Sequence, residues 1–180
     1  MSVLSILTYP DPFLKTMARH VDTVDDDVRR LIDDMAETML GAKGIGLAAT
    51  QVGDDRRIVI LDVPQDDNEE EYERTRGQNL LALINPEVIV EEGTTSFEEG
   101  CLSVPGFTAE VKRAARITVR ALDREGEQME FTAEDLLSIA IQHEIDHLNG
   151  VLFIDRLSRI KRELLKRKIK KLLDDDRSRL

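Results

Sequence analysis

The sequence predicts an α+β fold from three observations. Helical apolar spacing occurs near the N-terminus and again in the last third, while the middle alternates or runs apolar over strand-length stretches. Strands are therefore grouped between helices, which favours α+β over a doubly wound sheet. The 180 residues, 41% of them apolar, suit one domain with a real core across 1–180.

Residues 24–42 place Val28, Leu31, Ile32, Met35, Met39 and Leu40 at helical spacing. Asp25, Asp26 and Asp27 stand where acidic groups favour a helix start, and Gly44 and Gly46 break the pattern. "RRIVILDV" (56–63) predicts a buried strand, and the polar, charged stretch 64–79 a solvated loop. "LLALINPEVIV" (80–90) predicts one or two strands broken at Asn85–Pro86. In 115–123, Ile117, Val119 and Ala121 alternate with Thr118, Arg120 and Leu122, as in a strand. Residues 124–131 continue it as a hairpin with Gly126 in the turn. Thr132 as N-cap, Asp135 at N3 and Gly150 beyond the end predict a helix over 133–149. Ser158 caps a last, basic helix to Leu173, with Ile160, Leu164, Leu165, Ile169, Leu172 and Leu173 as its apolar positions.

Composition narrows the function classes. No apolar run approaches the ~18 residues of a membrane span, and the N-terminus lacks the basic region of a signal peptide. One cysteine forms no internal disulfide, so the expected compartment is the cytoplasm. A net charge of −11 argues against a protein whose whole surface binds nucleic acid. The charge is uneven, however: between Arg159 and Lys171, eight basic residues face Glu163 alone.

Chemistry concentrates in "QHEIDH" (142–147). His143 and His147, four apart on a helix, share one face with Cβ atoms about 5–6 Å apart, so two imidazoles can chelate one ion. Glu144, one step round, can reach a water on that ion without being a ligand, which is the logic of H-E-x-x-H. Two histidines exposed by chance are the plain alternative. Yet Leu136, Ile139, Ala140, His143 and His147 form one stripe, which favours burial, and buried rings need partners. A catalytic site usually takes a third ligand. Gly150 fits the metzincin continuation, but Phe153 stands where its last histidine belongs. Downstream, Glu163 lies inside the basic helix, where it pairs more simply with lysines. Upstream, "FEEGCLSVPG" (97–106) carries Cys101, whose thiolate is a strong metal ligand although a lone cysteine is usually a small core residue. In "GIGLAATQVG" (44–53), the glycines allow close backbone approach and Gln51 is a neutral donor able to polarise a carbonyl.

Together "GIGLAATQ" (44–51), "EGCLS" (99–103) and "HEIDH" (143–147) resemble the peptide deformylase family, motif by motif and in order. The resemblance runs over nearly the whole chain. It implies antiparallel or mixed sheets packed around a central metal-binding helix, with an N-terminal and a C-terminal helix. It implies removal of the formyl group from formyl-methionine of nascent polypeptides, releasing formate. Cys101, His143 and His147 would hold one divalent metal, iron(II) in the family, with zinc, nickel or cobalt able to replace it. Glu144 would act as base and then acid, and the Gln51 amide and the Leu102 backbone N–H as oxyanion donors. Ile45, Leu136, Ile139 and Ala140 would line the methionine pocket, with backbone pairing at Ile45, Gly46 and Gly100. Asp146 is expected to pair with Arg113 behind the ligands. Thr108 stands where many bacterial members carry arginine, so the pocket mouth is expected to be less basic.

Two other readings remain. One is a zinc endopeptidase of the H-E-x-x-H type; the other is an RNA- or ribosome-binding protein without catalysis. The basic helix also admits a synthesis, a monomeric deformylase held near ribosomal RNA by Lys161, Arg162, Lys166, Arg167 and Lys170.

Overall fold

The computed structural model describes residues 2–64 and 68–177. Its elements, in chain order, are helix α1 (Asp26–Gly41), strands β1 (Gly46–Ala48) and β2 (Ile58–Leu61), and helix α2 (Glu69–Thr75). Strands β3 (Leu81–Glu92), β4 (Thr95–Gly100), β5 (Thr108–Arg113), β6 (Arg116–Leu122) and β7 (Gln128–Glu134) follow, then helices α3 (Asp135–Leu148) and α4 (Arg159–Arg177). Short 3-10 turns cover Pro12–Lys15, Ala49–Val52 and Phe153–Arg156. The result is α+β, with an antiparallel five-stranded sheet of order β1-β2-β3-β6-β7 and a separate β4–β5 ribbon.

The sheet is covered on both faces, and β2 shows why its sequence is apolar at every position. Ile58 and Ile60 face α1 through Met35 and Met39, whereas Val59 and Leu61 face α3 through Ala140 and Ile141. A strand buried on one face alone would alternate. A third apolar cluster joins Leu14, Val104, Val111, Leu152, Phe153, Ile154 and Ile169, tying the ribbon to the 3-10 turns and to α4.

Several expectations are corrected. The stretch 64–79 contains α2, begun by Asn68, whose side chain accepts the Glu71 N–H; residues 65–67 lie outside the described residues. Strand β3 passes through Asn85–Pro86 unbroken, with a register shift between Ile84 and Glu87. Pro86 cannot donate to a ladder, and Asn85, at φ 54°, bonds both backbone groups of Val21 instead. Thr132 is not a helix cap: it pairs with Thr118 in the ladder, and β7 runs on to Glu134, the residue before α3. Cross-strand pairing at Thr132 and at the two positions after it outweighs a local cap. Strand β4 runs up to Gly100 and ends immediately before Cys101.

Helix α4 extends past the predicted Leu173, whose side chain lies outside the described residues. Its apolar stripe is only partly used. Ile169 is buried and Leu165 half-buried, but Ile160, Leu164 and Leu172 are exposed.

Candidate metal centre and its apolar cavity

Three parts of the chain converge on α3. The helix presents His143 and His147 one turn apart, with ring centroids 4.9 Å from each other. The end of β4 delivers Cys101, and the 3-10 turn after β1 delivers Gln51. The His147 Nε2 lies 3.2 Å from Cys101 Sγ and 3.2 Å from His143 Nε2. All three donor atoms lie within 4.8 Å of one another. Bonds of ~2.0–2.3 Å to one tetrahedral ion hold such atoms about 3.3–3.7 Å apart. The donors thus lie close enough together to hold a single divalent metal.

His143 and Cys101 have hydrogen-bond partners that orient them, whereas the buried His147 Nδ1 meets none among the described residues. His143 Nδ1 lies 2.8 Å from Glu99 Oε2, which directs Nε2 inward. Phe153 stacks on the same ring at 6.3 Å. Thr50 donates its hydroxyl to the His147 carbonyl at 3.1 Å, and the Ser103 N–H approaches Cys101 Sγ at 3.3 Å. Gln51 is fixed through its oxygen, which accepts the Ala48 N–H at 2.8 Å. Its amide nitrogen donates to Ser103 Oγ at 3.0 Å and approaches Cys101 Sγ at 3.6 Å.

Behind the donors stands a buried ion network. Arg113 donates in a fork to Glu99 at 2.7 and 2.9 Å and to Asp146 Oδ2 at 2.6 Å, and Arg156 grips Asp146 from outside. Glu99, Arg113 and Asp146 are all buried. The Arg113–Asp146 pair was expected; Glu99 and Arg156 were not assigned. Glu99 stood in view, two residues before Cys101 in "FEEGCLS". Arg156 carried no signal, since nothing in "IDRLSR" shows which carboxylate it meets.

Burial and partners set the charges. Burial pushes Glu99 up, but the bonds from Arg113 and His143 outweigh it and bring its pKa to about 2. Burial pulls His143 down, yet hydrogen bonds to Cys101 and Glu99 leave it well above the ordinary value. His147 is held well below the ordinary value by burial and by the neighbouring His143. Glu144 is buried, its Oε2 meets no partner among the described residues, and burial raises its pKa to about 7.

Glu144 has room only because Gly46 has no side chain. A Cβ there would stand 2.5 Å from Glu144 Oε1. The strand wall and the carboxylate therefore share the floor of one cavity of about 520 Å³. Its walls bring together Ile45, Gly46, Gln51, Gly100, Cys101 and Leu102 with Leu136, Ile139, Ala140, His143 and Glu144. Phe97, Phe107 and Thr108 lie at the same cavity, with the Thr108 hydroxyl donating to Glu98 at 2.6 Å. His147 sits deeper. Asp146 and Arg113 face a separate polar cleft on the far side of α3.

Residues 3–163 match the polypeptide deformylase family. A peptide deformylase from Alkalilimnicola ehrlichii is 51% identical over 177 residues, 98% of this chain and 94% of its own. The crystal structure of a peptide deformylase from Legionella pneumophila superposes with a TM-score of 0.84 at 42% identity, covering 97% of this chain and 98% of that one. A second, the Ehrlichia chaffeensis peptide deformylase in complex with actinonin, gives 0.85 at 42% identity over 95% of this chain and 98% of its own.

Proposed function

Because the chain belongs to the polypeptide deformylase family, we propose that it hydrolyses the formyl group from formyl-methionine at the N-terminus of nascent polypeptides in the cytoplasm, as a monomer. The observation that carries this reading is the set of donors Cys101, His143 and His147 beside a buried, unpartnered Glu144 on the floor of an apolar cavity.

Cys101, His143 and His147 would hold the metal, iron(II) by family resemblance. When bound, the metal supplies Lewis-acid charge and a water of lowered pKa. The remaining steps belong to the chain. Glu144, with a pKa near neutrality, takes the proton of the attacking water and returns it to the leaving amine. Its Oε2 has no competing partner, so the carboxylate is free for that exchange. The oxyanion takes donors from the Gln51 amide and the Leu102 N–H. The Gln51 N–H directed at sulfur is the one available, since a 3.6 Å contact gives up little on turning. Ile45, Leu136, Ile139 and Ala140 hold the methionine side chain, and the edges at Ile45–Gly46 and Gly100 pair with the extended peptide as an added strand.

The test is release of formate from a formyl-Met-Ala-Ser peptide by protein prepared without oxygen, with metal content measured in parallel. Glu144→Gln is expected to lower kcat by about 10²–10⁴ while retaining metal. The same preparation separates the zinc endopeptidase alternative, which would cut internal amide bonds. Cleavage of such bonds with no formate released would reject the proposal.

The exposed face of α4 supports a further part of this reading, contact with ribosomal RNA. Lys161, Arg167 and Lys170 are exposed there beside Ile160 and Leu164, with Arg162 and Lys166 half-buried.

A further inference from the structure

Strand β1 has three residues and lies at the sheet edge, with β2 as its only ladder partner among the described residues. Its ladder is short, and although Leu47 and Ala48 are buried in the core, Gly44, Ile45, Gly46 and Leu102 line the cavity beside it. The segment from α2 to Gly77 holds the Gly44–Ile45 end of this wall at three points. Arg76 Nη2 donates to the Gly44 carbonyl at 2.9 Å. The Tyr72 hydroxyl donates to the Asp62 carbonyl at 2.6 Å, and the Gly77 N–H donates to Asp62 Oδ2 at 2.8 Å. Asp62 in turn donates its own N–H to the Ile45 carbonyl at 2.9 Å. These bonds fall at the open end of the β1–β2 pair, where the ladder itself stops.

Helix α2 buries none of its own residues, so it has no core role. The Arg76 side chain, by contrast, is only 12% exposed, with its guanidinium 5.4 Å from the Tyr72 ring centre. Its ion-pair contact to Glu73, at 3.7 Å, is long. A charge buried to this degree for a surface helix alone would be a poor exchange. Its strong bond goes to Gly44, and Gly44 packs so closely on Leu102 that a Cβ would stand 2.7 Å from Leu102 Cδ1. Arg76 is thereby linked to both the strand wall and the oxyanion side of the cavity.

We propose that Arg76 is a positioning residue for the reaction: through the Gly44 carbonyl it fixes the Ile45–Gly46 edge on which the peptide is held. It touches neither substrate nor metal donors. It sets how well an extended peptide binds, not how fast the bond breaks. This inference rests on the deformylase reading for its substrate.

The test compares wild type, Arg76→Ala and Arg76→Lys in two measurements. In kinetics on formyl-Met-Ala-Ser, Arg76→Ala is expected to raise KM roughly tenfold, as for a lost charged hydrogen bond that acts on binding alone. The kcat is expected to change less than about twofold, and Lys, which can still donate to Gly44, to restore most of the loss. In hydrogen exchange, Arg76→Ala is expected to speed exchange of the amides of 45–48, and to leave those of α1 and α3 unchanged. Unchanged KM with unchanged exchange overturns the proposal. So does a fall in kcat with faster exchange throughout, which marks a merely structural residue. If wild type releases no formate, the proposed function fails, and exchange at 45–48 alone then decides whether Arg76 holds the strand.

Discussion

At the scale of single residues, the centre depends on what is missing as much as on what is present. Gly46 leaves the space that Glu144 fills. Gly46→Ala should displace the carboxylate while leaving the three metal donors in place. The expected result is a large fall in kcat with normal metal content, measured by formate release and metal analysis. Asp146 acts at one remove. It holds Arg113, which holds Glu99, which orients His143. Asp146→Ala should weaken metal retention about 10–100-fold, the usual effect of removing an outer partner. Dialysis against graded chelator measures this, and full retention would remove Asp146 from that role.

At the scale of elements, the ends are held by side chains rather than by regular pairing. The Phe153–Arg156 turn carries Phe153 onto His143, and Asp155 fastens this turn to Lys15 near the N-terminus. Burial raises the Asp155 carboxyl, but the Lys15 bond and the Leu152 N–H outweigh it, so its pKa lies below the ordinary value. A depressed folded pKa stabilises above the unfolded pKa, and that stability is lost as pH falls through the folded value. Both partners are partly exposed, so the contribution is at most about 1 kcal/mol. The Tm gap between wild type and Asp155→Asn should therefore be widest at neutral pH and close in acid. A gap independent of pH would show that the charge of Asp155 does not matter.

At the scale of the whole molecule, the strong negative charge and the basic α4 oppose each other. The acidic body repels RNA, so contact would be confined to the helix. Removing the chain after Leu157 is a poor test, because Ile169 is part of the third apolar cluster and its loss would open that core. Reversing charge at exposed Lys161, Arg167 and Lys170 leaves Ile169 in place. The expected outcome is loss of salt-sensitive ribosome binding, read by co-sedimentation, with hydrolysis of short formyl-peptides unchanged. Undiminished sedimentation would exclude α4 as the tether.

Helices α1, α3 and α4, strands β2, β3, β6 and β7, the two α3 histidines and the family motifs were legible in the sequence, because each depends on local spacing, whereas α2, β1, β4 and β5 were not. Residues 143 and 147 share a helix face whatever surrounds them, and β2 reads as buried because its four residues are all apolar. The tertiary structure alone decided the rest. Thr132 looked like a cap until its strand partner Thr118 claimed it, and Asn85–Pro86 looked like a break until Val21 satisfied Asn85. Glu99 reaches the centre through His143, 44 residues away in sequence, Arg156 through Asp146, 10 residues away, and Arg76 reaches the cavity wall through a carbonyl 32 residues away. Spacing along a chain records which side chains share a face. It does not record which distant carbonyl or carboxylate will meet a buried arginine, because only folding brings the two into one low-dielectric place.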